Sequence, residues 1–324
     1  MKRLFEAALA AMALTLCAPF AAAQTNDYPN KPIRFIAPIP AGGSTDVLTR
    51  DVARRLQERW GQPTVVENKP GSTGSIGAAQ VARAPADGYT LLLVNSGHVI
   101  NGHVYAKLPY DPIKDFVPIV HATSIALGLF VHPSVPAKNL TEFLALARSK
   151  PGALSFATSG NGGAGHLGGE SIKAATGIDM VHVPYRGSAL AIADVVAGQV
   201  PVSIADVPLA RPHVRSGALR PIAIAASQRS AALPDMPTFA ELGIPNLDFS
   251  VWVGFVAPTG TPKAIVDKLN REIVAILREP AMTTRLVELG FEVVASTPAD
   301  FEQTMKRDHE AYGIVVRNAK IRIE

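Results

Sequence analysis

Two glycine-rich runs carry the residue types that can hold an anion without a charged side chain. The first is Pro40-Ala41-Gly42-Gly43-Ser44-Thr45-Asp46; the second is Ser159-Gly160-Asn161-Gly162-Gly163-Ala164-Gly165-His166-Leu167, entered through Thr158. Each lies between an apolar, strand-like run and an amphipathic, helix-like one. Glycine leaves backbone N–H groups uncovered, and a helix start adds unpaired N–H groups at the positive end of its dipole. Two such loops, far apart in sequence, predict a cleft that grips one small anion from both sides. Ser44 or Asp46 is expected to cap the first helix. If Asp46 instead faces the ligand, an ammonium group on that ligand gains weight.

The second loop supports a competing reading. Gly160, Gly162 and Gly165 form a formal G-x-G-x-x-G, and Asp179 stands near the offset of a ribose-binding acid. Against a dinucleotide, Asp179 precedes its strand instead of ending one, while Ser159, Asn161 and His166 suit a small polar ligand. An exported hydrolase using His166 with Ser159 or an acid would need a nucleophile–base pair, and no such spacing is visible. His98, His103, His121, His132, His182 and His213 are scattered without metal-ligand spacing, so neither a metal nor a cofactor is expected.

The elements that must position these loops alternate along the chain. Residues 33–37, 64–67, 91–94, 127–131, 154–157, 181–183, 202–205, 222–225 and 251–256 read as short buried strands, continuous enough in apolar character for parallel pairing under helices. A helix over 45–60 carries Val47, Leu48, Val52, Leu56 and Trp60 on one face and stops at Gly61. Another, over 262–278, is expected to take Thr261 as its cap. This alternation predicts an α/β fold with mainly parallel sheets. Residues 122–125 and 247–250 are the expected crossovers, giving interleaved domains: one lobe from 26–124 plus 250–324, the other from 125–249.

Residues 1–23 read as a signal peptide: Lys2 and Arg3, an apolar run, then Ala21-Ala22-Ala23 before the cleavage position. Its removal takes away Cys17, the single cysteine, so the mature chain has neither a disulfide nor a thiolate-held metal. About 300 residues remain, enough for two domains. The formal net charge of +4 comes without a basic cluster and argues against a nucleic-acid partner.

The ordered set Asn68-Lys69-Pro70-Gly71, Pro85-Ala86-Asp87-Gly88-Tyr89-Thr90, Leu108-Pro109-Tyr110-Asp111-Pro112, His182-Val183-Pro184-Tyr185-Arg186-Gly187, Leu233-Pro234-Asp235-Met236-Pro237-Thr238 and Trp252-Val253-Gly254, with the two loops, resembles a known family. It is that of the extracytoplasmic substrate-binding receptors of tripartite tricarboxylate transporters, the Bug type, and the likeness spans essentially the whole mature chain. The resemblance implies a two-lobed, Venus-flytrap periplasmic binding protein, monomeric and not an enzyme. It would capture a small organic acid and deliver it to membrane permease subunits. A ligand sensor acting on a signalling partner is the alternative. The resemblance also places Ala41, Gly42, Gly43, Ser44 and Asp46 on one wall around the ligand's proximal carboxylate, with Thr158, Ser159, Asn161, Ala164 and His166 on the other. Asn95, Ser96, Tyr185 and Asp206 are assigned to the distal end. Ile39 stands where the family often has an aromatic or other bulky group.

Overall fold

The computed structural model describes residues 28–226 and 228–322. The signal peptide expected over 1–23 lies outside these residues. The chain opens with β1 (Ile33–Ala37), α1 (Ser44–Trp60), β2 (Thr64–Asn68), a 3-10 turn (Ser72–Gly74), α2 (Ser75–Ala82), β3 (Thr90–Asn95), α3 (Ser96–Val104) and β4 (Phe116–Ile125). It continues through β5 (Leu127–Val131), α4 (Leu140–Ser149), β6 (Leu154–Thr158), α5 (Ala164–Thr176), β7 (Met180–Pro184), α6 (Ser188–Val196), β8 (Val202–Asp206), α7 (Val207–Arg215) and β9 (Arg220–Ala225). It closes with β10 (Val251–Pro258), α8 (Lys263–Leu277), α9 (Pro280–Glu288), β11 (Glu292–Val293) and α10 (Pro298–Asn318).

Two sheets make two lobes. One has the order β11-β4-β10-β3-β1-β2 and the other β7-β6-β8-β5-β9. The expectation of mainly parallel sheets needs correction to mixed ones. β1 pairs in parallel with β2 and β3, and β6 with β7 and β8. β10 runs antiparallel to β3 and β4, and β5 antiparallel to β8 and β9. The reason is connectivity. β5 and β10 each begin where the chain has just passed between lobes, so they start at the interlobe end and run away from it. Their neighbours run toward that end.

Residues 122–125, expected as a crossover alone, are the last part of the ten-residue β4, which pairs with β10 on one side and β11 on the other. The helix faces follow their apolar periodicity. Leu48, Val52 and Leu56 of α1 have no exposure and pack with Phe35 and Phe255, whose rings meet edge to face at 5.6 Å. Burying each such side chain contributes about 1.5–3 kcal/mol. Thr261 does not cap α8: its hydroxyl donates to the Pro258 carbonyl at 2.8 Å, and the cap position is Pro262. At the back of the molecule α10 packs on α3 and β4 and reaches α5 of the other lobe. The Trp252 indole ties β10 to it by donating to Asp308 at 2.8 Å. No helix among the described residues is long and apolar enough to cross a membrane.

Candidate functional site

Both glycine loops end in a helix whose cap is a glycine. α1 starts after Gly43 (φ −76°, ψ 165°) and α5 after Gly163 (φ −82°, ψ 169°), and neither cap has a side chain to accept from the first N–H groups. Ser44 is therefore the first helical residue, not the cap, and α5 begins at Ala164. The residue before each cap, Gly42 or Gly162, has positive φ (91° and 68°), a conformation that glycine adopts without strain. Its N–H turns back onto the third helical residue. Gly42 N donates to Asp46 Oδ2 at 2.9 Å, and Gly162 N donates to His166 Nδ1 at 3.1 Å. The next N–H groups of each helix are left pointing outward, as at any uncapped start.

The two third-position side chains are buried and held from behind. Asp46 also accepts from Arg50 Nε at 2.9 Å and Asn68 Nδ2 at 2.8 Å. Burial raises its pKa, but the bonds from Arg50, Asn68 and Gly42 outweigh that and hold it below the ordinary carboxylate value. Both carboxylate oxygens thus serve the loop, and Asp46 is not among the residues lining the cavity described below. His166 stacks face to face on His182, with centroids 3.7 Å apart and planes 10° apart. His182 in turn bonds the Thr158 hydroxyl at 2.7 Å. Burial lowers both histidines, His182 to about 3 with the neighbouring His166 and Lys173 adding to the effect, so both rings are neutral. Because Nδ1 of His166 accepts from Gly162, its proton sits on Nε2. His166 and the buried Thr158 shape the second loop instead of lining the cavity.

Between the lobes lies a cavity of about 400 Å³. Its floor includes Leu127 and Val251, the first residues of the two strands that begin at the crossovers. The second lobe contributes Gly163, Ala164 and Gly165 from the start of α5, Ser188 from α6 and Asp206 before α7. The first lobe contributes Asn95 and Ser96 at the start of α3, and Thr73 and Gly74 just before α2. Asn95 caps α3 by accepting from Gly97 N at 3.0 Å. The wall is therefore built largely of helix N-termini. Among the described residues, none that lines it is lysine or arginine. Such a wall favours an anion through partial charges and N–H donors.

The structure brings Asn95, Ser96, Ser159, Ala164 and Asp206 together on this cavity. It does not bring Ala41, Gly42, Gly43 or Ser44 onto it: the Pro38-Ile39-Pro40 run occupies that wall, and Ala41 to Gly43 lie exposed beyond it. Asn161 is exposed at the tip of the second loop. Tyr185 is turned away, its hydroxyl donating to Asp194 at 2.6 Å. Burial pushes Asp206 above the ordinary carboxylate value, opposed by the Ser188 hydroxyl. Ser188 is the first residue of α6 after the Gly187 cap.

Of the polar side chains on this wall, Thr73, His98, Asn101, Tyr110 and Ser188 were not anticipated. The sequence hints were the Gly71-Ser72-Thr73-Gly74 run, whose spacing marks a tight turn, and the Leu108-Pro109-Tyr110-Asp111-Pro112 run that holds Tyr110. Thr73 sits at φ 50°, ψ 33°, unusual for a β-branched residue, and is held there by Asn101 and Tyr105. Asp179 lies at the start of β7, beside the start of β6, so it is at the opposite end of these strands from the glycine loop. A ribose-binding acid would be needed at the loop end. Among the described residues no group of three or more histidine, cysteine or acidic side chains is placed to hold a metal ion.

Residues 48–321 match the profile of the tripartite tricarboxylate transporter family receptor. The chain belongs to this family. The receptor is 36% identical to Protein BugT of Bordetella pertussis over 299 residues, 92% of each chain. It is 42% identical to a solved periplasmic transporter, with a TM-score of 0.78, covering 92% of this chain and all of that one. It is also 34% identical to an R. palustris protein solved with adipate, with a TM-score of 0.79, covering 91% of this chain and 99% of that one.

Proposed function

We propose that the receptor binds a small organic acid between its lobes in the periplasm and hands it to the permease subunits of a tripartite tricarboxylate-type transporter. The observation that carries this reading is the cavity walled by helix N-termini with, among the described residues, no lysine or arginine on it. The relative solved with adipate supports an acid as ligand. The proposed lobes are 26–124 plus 250–324 and 125–249, in keeping with the membership of the two sheets.

In this reading Gly163, Ala164 and Ser159 meet the carboxylate first. The loop of Ala41, Gly42, Gly43 and Ser44 is drawn onto it as the lobes close. Gly43 supports this role: its φ is ordinary and no atom lies within 4 Å of where a Cβ would be, so nothing in the protein requires glycine there. Only the closed form offers both caps to one anion, so the ligand shifts the open–closed equilibrium by that difference in affinity. Charge-assisted hydrogen bonds contribute about 1.5–3 kcal/mol each, so a few suffice for micromolar binding, about 8 kcal/mol, after association costs.

The test is calorimetric titration and thermal shift of the mature protein with organic acids, amino acids and nucleotides. At a hundred times its dissociation constant a true ligand adds about 2.7 kcal/mol. A shift with small acids alone is expected. A shift with nucleotides alone would overturn the reading and restore the glycine fingerprint at 160–165. Delivery to a permease is tested separately: deleting the gene should abolish uptake, whereas intact uptake with a lost transcriptional response would make the protein a sensor.

A further inference from the structure

A second cavity, of about 280 Å³, lies on the other face of the crossover strands. Successive residues of a strand point to opposite faces. At the start of β10, Val251 lines the interlobe cavity, while Ser250 and Trp252 line the second one. Its walls come from both lobes. Ser124 of β4, Glu292 of β11 and Tyr312 of α10 belong to the first; Ala226 and Gln228 follow β9 of the second, and Asp248 stands in the crossover between them.

The charge on these walls is unbalanced. Three carboxyl groups, Asp248, Glu292 and Asp308, line the cavity together with one guanidinium, that of Arg307. Arg307 is mostly exposed and is engaged by Asp308 at 2.8 Å. Burial holds the lining His121 neutral, with a pKa of about 4, so it adds no positive charge. Burial raises Glu292 and Asp308 above the ordinary carboxylate value, and the charge of Asp248 adds to both shifts. Asp248 gives its Oδ1 to the Ser250 N–H and hydroxyl, and its Oδ2 has no partner among the described residues.

Tyr312 points to a ligand independently of these charges. It is only 4% exposed and lines the cavity, yet its hydroxyl makes no hydrogen bond among the described residues. Unlike the sealed hydroxyl of Tyr110, it keeps surface on its cavity. Burial pushes this phenol well above its ordinary value, and Asp308 and Asp248 add to that, so it is protonated and its oxygen can accept an N–H. An unpaired polar group at that depth costs stability, which a partner in the cavity would recover. Among the described residues no three histidine, cysteine or acidic side chains are placed to hold a metal ion. The donor set therefore suits a cation that binds through several N–H groups. Trp252 and Val294 supply apolar surface for a short hydrocarbon stem beside it.

We propose that this cavity is a second ligand site, taking a small primary ammonium ion whose N–H groups donate to the Tyr312 hydroxyl and the Asp248 carboxylate. The site owes nothing to the glycine loops or to the acid proposed for the interlobe cavity.

The experiment is calorimetric titration of the mature protein, near neutral pH and at low salt, with methylammonium, ethanolamine and putrescine, and with 1,4-butanediol as the neutral match of putrescine. At least one amine should bind saturably at a single site, and the diol should not. Tyr312→Phe and Asp248→Asn should each weaken the amine by about tenfold, as the loss of one hydrogen bond to a charged group. Both variants should melt close to the wild type without ligand, because the Tyr312 hydroxyl has no partner to lose and asparagine keeps the oxygen that Ser250 uses. Failure of every amine to saturate the wild type would overturn the inference. So would an amine affinity that either folded variant leaves unchanged, as expected for an amine seated on Asp206 in the interlobe cavity.

Discussion

In the first lobe Gly42 N–H folds back onto Asp46, and in the second Gly162 N–H folds back onto His166, at the same spacing from the same kind of glycine cap. The backbone problem is identical: an N–H just before the helix needs an acceptor that leaves the following N–H groups free. One loop solves it with a carboxylate neutralised by Arg50, the other with an imidazole kept neutral by burial. The consequence is electrostatic. A neutral acceptor does not offset the positive end of α5, whereas the carboxylate at the start of α1 must be balanced by a cation behind it. The cap with the neutral acceptor is the one on the cavity wall. An anion site that does without basic side chains is best served by such a cap.

The largest expected effect comes from removing the charged acceptor. Asp46→Ala takes from Gly42 N–H its acceptor and from Arg50 its carboxylate, leaving Arg50 with the Asn68 Oδ1 and Asn68 Nδ2 with the Ile39 carbonyl. Breaking a buried pair is strongly destabilising, but Arg50 is about half exposed, so about 2–3 kcal/mol is expected in urea unfolding. A loss below about 0.5 kcal/mol, the range of ordinary surface changes, would mean the network does not hold the loop.

Next come the glycine caps themselves. Both have φ values that valine tolerates, and an added Cβ meets nothing at Gly43 and only ordinary contacts at Gly163. Gly163→Val should weaken acid binding by about a hundredfold and Gly43→Val by about tenfold, as lost charge-assisted hydrogen bonds. The reverse ranking in titration would show that the first loop, not the second, carries most of the carboxylate.

The pH dependence should separate the two acceptors. With His166 lowered from its ordinary 6.5, the unfolded chain binds more protons than the folded one below that pH. Its contribution is therefore complete above 6.5 and is lost as the pH falls toward the folded value. His182 acts with the same sign down to about 3. Asp46, held below 3.8, keeps its full contribution above about that value and loses it as the pH falls on through its folded value. Melting from neutral to mildly acid pH should thus fall more steeply for the wild type than for His166→Gln, by the slope of at most one proton, and an identical slope would remove His166 from the account. The smallest effect is expected for Ser44→Ala, which copies Ala164 at the matching position: under about 0.5 kcal/mol in stability.

The glycine loops were legible because anion binding by backbone leaves its mark in composition, and the buried parallel strands because they are continuously apolar. β4 was not. Pro118, His121, Thr123 and Ser124 interrupt its apolar pattern. Those polar groups are tolerated partly because the His121 ring bonds the Ser124 hydroxyl at 2.9 Å and the His121 backbone N–H donates to the Ser296 hydroxyl at 3.0 Å. Only the two-residue β11, recognisable through its pairing, marks that edge. The wall of Thr73, Asn101 and Tyr110 was equally hidden. Its members come from a turn, a helix and a loop, and only tertiary packing makes them neighbours. The exclusion of Asp46 and Tyr185 from the cavity likewise depends on partners, Asn68 and Asp194, that no local pattern reveals.

The position of β10 bears on the order in which the molecule assembles. This strand lies between β3 and β4 in its sheet, yet it is made well over a hundred residues after either begins. Until residues 251–258 exist, β3 and β4 lack their common neighbour, and both present open edges. The sheet of β5 to β9 has all its strands by Ala225, with residues 237–249 then adding backbone bonds to Ile224 and Ala225. A growing chain can therefore finish its middle before its beginning. Pulse-labelled hydrogen exchange should find amides of the second sheet protected first, with β1 to β4 following only when their central strand arrives.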